Sequence, residues 1–125
     1  MIRSHRAKAL AVTSLILALC RALTIPTRYF TGYAYRLEPP DFHACLEAFI
    51  GRYLALFDAT RSAPPNGLVR IGLGRDAADV LVCTVFGFAR TSKQDVRCEM
   101  LEGYFHALTA HELSETAISL DASKE

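Results

Sequence analysis

The sequence has no surplus of charge of either sign: 14 Lys and Arg stand against 13 Asp and Glu. That balance excludes a bulk electrostatic grip on nucleic acid and leaves only a local patch open. There is also no C-x-x-C pair. The four cysteines, Cys20, Cys45, Cys83 and Cys98, are widely spaced, which argues against a disulfide framework or a structural zinc site. Three of them sit among apolar neighbours, where a thiol serves as a small buried hydrophobe. All four are expected to be reduced, as in a cytoplasmic protein. The apolar run Ala9 to Cys20 has twelve residues, too few for a spanning helix of about 20. No internal repeat is present, and low complexity is confined to the loop Ala63-Pro64-Pro65-Asn66-Gly67.

What is there is the composition of one folded domain: 125 residues, 51% hydrophobic and 22% charged, neither long enough for two comfortable domains nor polar enough for disorder. Arg3, Arg6 and Lys8 before Ala9 to Cys20 give the outline of a secretory signal. The bulky Leu19 before Cys20 makes a poor cleavage site, however. The rival is a buried helix from Ser4 to about Leu23, stopped by Ile25-Pro26.

Thr27 to Tyr35 reads as a strand rich in Tyr and Phe, with Gly32 as a bulge or close approach. Arg36 to Pro40 is a connection. Phe42 to Phe49 and Arg52 to Asp58 alternate as two strands of a hairpin turning at Ile50-Gly51, which pairs positions whose numbers sum to 101. His43 then falls opposite Asp58, with Cβ atoms about 4.5–5.5 Å apart. A carboxylate beside an imidazole fixes its tautomer and stabilises its charged form, as nucleophilic catalysis requires. Phe42, Ala44, Leu46 and Ala48 are placed on the core face, opposite Tyr53, Ala55 and Phe57. His43, Cys45 and Glu47 take the other face, opposite Asp58, Leu56 and Leu54.

After the loop Thr60 to Gly67 comes a short apolar run, Leu68 to Leu73, and then a turn through Gly72, Gly74, Arg75 and Asp76. Val80 to Phe86 is a continuous apolar run of central-strand length. Val96 to Leu101 reads as a further strand, Gly103 to Leu113 as helical, and the tail from Ser114 as loose. The expected fold class is α+β, an N-terminal core helix packed on a mostly antiparallel sheet.

Weaker constellations resolve blandly. His43 and Cys45 resemble two metal ligands, but no second pair follows at suitable spacing, so no metal is expected. His106 and His111 are five apart, wrong for one helix face, and are read as surface residues. Gly72 to Asp76 lacks the context of a phosphate loop. Asp76 and Asp79 are read as holding a loop through backbone N–H groups, with Arg75 beside them.

Taken in order, several segments resemble the bacterial transglutaminase-like family of the papain-like cysteine acyl-transferase and protease superfamily. They are Ala18-Leu19-Cys20-Arg21-Ala22-Leu23-Thr24-Ile25-Pro26-Thr27-Arg28-Tyr29, Gly32-Tyr33, Asp41-Phe42-His43-Ala44, Glu47-Ala48, Phe57-Asp58-Ala59-Thr60 and Gly74-Arg75-Asp76-Ala77-Ala78-Asp79-Val80, ending near Thr84-Val85-Phe86-Gly87. The resemblance favours a core helix over an export signal, with a cleaved signal as the alternative. It implies a Cys-His-Asp triad in which His43 acts as base and acid and Asp58 orients it.

One departure bears on activity. Counting along the helix puts the family's nucleophile at Ala9, in Ala7-Lys8-Ala9-Leu10-Ala11-Val12, which carries none of the family's cysteine signature. Cys20 lies eleven residues further on, roughly 16 Å along a helix. Cys45 stands where the family usually has tryptophan, near His43 but not aimed at it. The chain also starts almost at the cysteine helix, so it looks like the C-terminal part of such a domain, truncated on its N-terminal side. A partial core over residues 1–103 and a helix with a loose tail over 104–125 are expected.

The implied function is acyl transfer, amide hydrolysis or proteolysis on a peptide- or protein-like amide, with the chain alone expected to be inactive for want of its thiol. The alternative is a non-catalytic pseudoenzyme or binding module. Neither cofactor nor metal, nucleic acid nor membrane is implied. Self-association through uncovered helix surface is expected.

Overall fold

The structure is a computed structural model that describes residues 5–81, 83–109, 111–112 and 118–120. Helix α1 spans His5–Ala22, followed by strands β1 (Thr27–Ala34), β2 (Phe42–Ile50), β3 (Tyr53–Phe57) and β4 (Leu68–Gly74). The strands form one antiparallel sheet in the order β3-β2-β1-β4. The expected α+β architecture of a core helix on an antiparallel sheet is therefore present. No described helix is long and apolar enough to cross a membrane.

Helix α1 buries Ala9, Thr13 and Leu17, an i, i+4, i+8 stripe along one face. Two of these side chains are small, which brings the helix close enough for Thr13 Oγ1 to donate to the Ala44 carbonyl at 3.1 Å. Under the helix lie Tyr29, Ala44, Leu46 and Ala48. Its outer side exposes Leu15 and Leu19, and Leu23 just past its end is exposed as well. The opposite sheet face is also covered. Phe30, Ala34, Cys45, Leu56 and Leu68 pack there with Leu37 and Ala63 of the loops, and with Ile118 and Leu120. Fully burying one such large apolar side chain stabilises the fold by roughly 1.5–3 kcal/mol.

The hairpin turns at Gly51-Arg52, with Gly51 at φ 69°, and pairs Leu46 with Phe57 and Ile50 with Tyr53. Its pairs sum to 103, two more than expected. A two-residue shift keeps every side chain on its expected face, because the pleat has period two. The burial differs from expectation at the ends: Tyr53 is 61% and Phe57 42% exposed, since β3 is an edge strand that outruns the helix. Gly32 is the expected close approach. The β1–β4 register shifts at Thr31/Gly32, and a Cβ at Gly32 would lie 2.0 Å from the Val69 carbonyl oxygen.

Three expected elements are corrected. The described residues of the Val80 to Phe86 run lie in no strand. Instead of adding beside β4, the chain crosses it: a Cβ at Gly72 would stand 2.6 Å from Val80 Cγ1, so the bare glycine is what admits Val80 to the core. Leu81, Val85 and Phe86 are exposed. Val96 to Leu101 is likewise not a strand, although Val96 itself is buried. Of Gly103 to Leu113, residues 103–109 are not helical and only His111 and Glu112 are; residues 110 and 113 lie outside the described residues. Phe105 instead packs edge-on against Tyr35, with ring centroids 4.9 Å apart, and Asn66 holds the backbone of His106 and Leu108 through its amide. The tail expected to be loose lies largely outside the described residues, but Ile118 and Leu120 pack against the core.

Helix α1 ends in a Schellman turn. Ile25 N donates to the Cys20 carbonyl at 2.9 Å and Thr24 N to that of Arg21 at 3.0 Å, with Thr24 at φ 59°. Glycine is the usual residue there, and a β-branched one is strained at positive φ. Relief of that strain exceeds the extra unfolded-state freedom of glycine, so Thr24→Gly is predicted to stabilise the fold by about 0.5–1 kcal/mol. The check is the urea midpoint, which should rise; an unchanged or lower midpoint contradicts the assignment.

Candidate active site

Strand β2 carries His43, Cys45 and Glu47 at alternate positions, and all three are buried. A buried polar side chain needs a partner. For His43, only 1% exposed, the partner comes from just past the end of β3: its Nε2 lies 2.9 Å from Asp58 Oδ2. The other carboxylate oxygen, Oδ1, accepts from Thr60 N at 3.0 Å and Thr60 Oγ1 at 2.9 Å, and Ser62 Oγ donates to Thr60 Oγ1 at 2.9 Å. Asp58-Ala59-Thr60 is thus a local turn in which the side chain satisfies its own backbone. The turn fixes the carboxylate, and the carboxylate in turn fixes the imidazole.

Burial pushes the Asp58 carboxyl upward in pKa. The hydrogen bond and charge of His43 and the two Thr60 bonds outweigh it, and the group lies below its ordinary 3.8. An ionised carboxylate only accepts, so Nε2 must carry the proton. Nδ1 is buried and has no hydrogen-bond partner.

Cys45 is fully buried, and its thiol is pushed well above the ordinary range by burial, then by the charges of Asp58 and Glu47. It is therefore a protonated thiol rather than a ready nucleophile. Cys20 and Cys98 are half-buried, and Cys83 is exposed. Ala9, the position counted for the family nucleophile, is 1% exposed on the sheet-facing stripe of α1. Its neighbour Leu10 lines, together with His43, Tyr29, Thr31 and Phe42, a cavity of about 240 Å³.

Sequence reasoning paired His43 with Asp58 and put Cys45 beside them; one ring nitrogen of His43, Cys45 Sγ and an Asp58 oxygen lie within 4.8 Å of one another. It missed Ser62, and it missed the partners of Glu47. That carboxylate, with no exposed side-chain surface, takes Arg28 Nε on one oxygen at 2.5 Å and Arg70 on the other at 3.2 Å. A Glu in the middle of a strand with both faces buried was the available signal. Arg75, Asp76 and Asp79 form the expected loop: Asp76 Oδ1 accepts from Ala78 N at 2.9 Å, and Asp79 Oδ2 from Arg75 N at 3.0 Å. His106 and His111 are exposed, as expected.

A helix on a four-strand antiparallel sheet, carrying a buried imidazole–carboxylate pair, is a small α+β core of the transglutaminase and cysteine-protease type. The sequence profile of the transglutaminase-like superfamily matches residues 1–59. It is similar to the solved structure of a "putative cysteine protease" from Cytophaga hutchinsonii, with 56% identity and a TM-score of 0.71. That match covers 74% of this chain and 32% of the other, so the chain spans about a third of that protein's length. No curated protein matches it significantly.

The depressed pKa of Asp58 sets an acid limit on stability. Below 3.8 the unfolded carboxyl takes up a proton that the folded one still refuses, so stability rises with pH there and is lost as pH falls through the folded value. Unfolding free energy measured from about pH 5 to about pH 2 should fall less steeply in Asp58→Asn than in the parent chain. Equal slopes would show that the carboxylate is not held by this network.

Proposed function

We propose that the chain is a transglutaminase-like module holding the imidazole–carboxylate half of a cysteine acyl-transfer site, with no thiol of its own poised to attack. The observation that carries this reading is the buried pair His43 Nε2···Asp58 Oδ2 at 2.9 Å, whose opposite ring nitrogen is without a partner. In a working triad that nitrogen takes the proton of the nucleophilic thiol, and the carboxylate stabilises the imidazolium that results. The thiolate attacks a carboxamide carbon, and the departing amine leaves with the proton from the imidazolium. Here the matching helix position is Ala9, whose methyl has no proton to give.

Members of a triad act as a unit, and loss of the nucleophile alone removes on the order of 10⁶ in rate. The chain on its own is therefore read as a non-catalytic module that has kept the geometry for a peptide-like amide. The similarity to a protein designated a cysteine protease supports that class of ligand.

Restoring the thiol tests the reading. In Ala9→Cys the introduced thiol should be alkylated by iodoacetamide rapidly near about pH 6, and adding His43→Ala should slow it sharply; the four native cysteines should react slowly and ignore His43→Ala. An introduced thiol that reacts no faster than Cys83, in a folded variant, removes Ala9 from the nucleophile position. A native thiol already fast at that pH and dependent on His43 would mean that the chain keeps a nucleophile after all.

A further inference from the structure

We propose that His43, Cys45 and Asp58 form a binding site for a thiophilic divalent cation of the zinc class. The three side chains are the ligand types that zinc takes, namely imidazole nitrogen, thiolate sulfur and carboxylate oxygen. They are brought together by strand geometry: His43 and Cys45 are two apart on one face of β2, and Asp58 stands just past the end of the neighbouring strand β3. One ligand atom from each lies within 4.8 Å of the other two.

Bond lengths of about 2.0–2.3 Å put tetrahedral ligand atoms about 3.3–3.7 Å apart. The Nε2···Oδ2 separation of 2.9 Å therefore has to open by only a few tenths of an ångström. The sulfur has to close by about 1 Å at most, which a small side-chain rotation achieves. The cation takes the place of the proton shared by Nε2 and Oδ2. That proton moves to Nδ1, and the Cys45 thiol proton leaves to solvent.

Charge around the thiol points the same way. Asp58 and Glu47 act on Cys45 as negative charges, which favours a divalent cation for the same reason that it disfavours a lone thiolate. Arg28 and Arg70 both pair with Glu47. The carboxylate ligand is also oriented from behind, since Thr60 holds Asp58 Oδ1 and leaves Oδ2 for the cation. The site depends on Cys45, which stands where the transglutaminase-like family usually has tryptophan, so it is a property of this chain. It does not rest on the acyl-transfer reading.

Cobalt(II) is the probe, added to the full chain at neutral pH. One equivalent should produce a thiolate-to-cobalt charge-transfer band in the near ultraviolet, displaced by Zn²⁺. The band should persist when Cys20, Cys83 and Cys98 are all changed to serine and should vanish in Cys45→Ser. Because one thiol proton is released, affinity should rise about tenfold per pH unit. Absence of the band in the triple-serine variant overturns the site, and that variant decides alone if Cys45→Ser fails to fold. A band in the triple-serine variant whose strength and affinity survive His43→Gln overturns it as well. Neither failure touches the Ala9→Cys experiment, which uses the metal-free chain.

Discussion

Strand β2 is buried on both faces, and most of the structure follows from that constraint. From His43 to Ala48 every residue is buried, in a sheet whose one side is capped by α1 and whose other side is closed by loops and by Ile118 and Leu120. Alanine and leucine meet that condition by packing. His43 and Glu47 meet it only with charged partners, because a buried polar group without one costs several kcal/mol. Asp58 answers for His43, and Arg28 with Arg70 for Glu47. These contacts tie β2 to β3, β1 and β4, so the polar pairs also fix which strands lie beside which.

The same constraint shapes the chemistry. A half-exposed histidine would be hydrated and free to turn over, whereas His43 is held from one edge by a carboxylate that is itself held by Thr60. The result is a pre-set ring with one nitrogen committed and the other bare. That arrangement suits a base that waits for a thiol, whereas a cation would be held by Nε2, once its proton has moved to Nδ1. Ala9 removes the thiol on the helix side, while Cys45 adds one on the strand side, and the two proposals divide along that line.

What could be read in the sequence followed from periodicity. The pleat put His43, Cys45 and Asp58 on one face even though the turn falls at Gly51-Arg52, two positions off in register, because a shift of two preserves faces. The helix was legible from its apolar run and from the family resemblance, and its stop from Ile25-Pro26. Apolar runs after Gly74 were misleading. Val80 to Phe86 has the composition of a central strand, yet β4 presents Gly72 to it, and the chain crosses over that bare surface instead of pairing. Composition carries no signal for such a crossing. Nor could alternation reveal that the second face of β2 is covered, since the covering residues Ala63, Ile118 and Leu120 come from loops and from near the C-terminus.

The central claim is that Asp58 holds the His43 imidazole with its proton on Nε2 and leaves Nδ1 bare. Long-range ¹H–¹⁵N correlation spectra of the chelator-treated chain near neutral pH test this directly. The account predicts for His43 one protonated, carboxylate-bonded Nε2 and one unprotonated Nδ1, with the pattern lost in Asp58→Ala. A ring protonated on Nδ1 and bare on Nε2, or one averaging freely between tautomers, would contradict it.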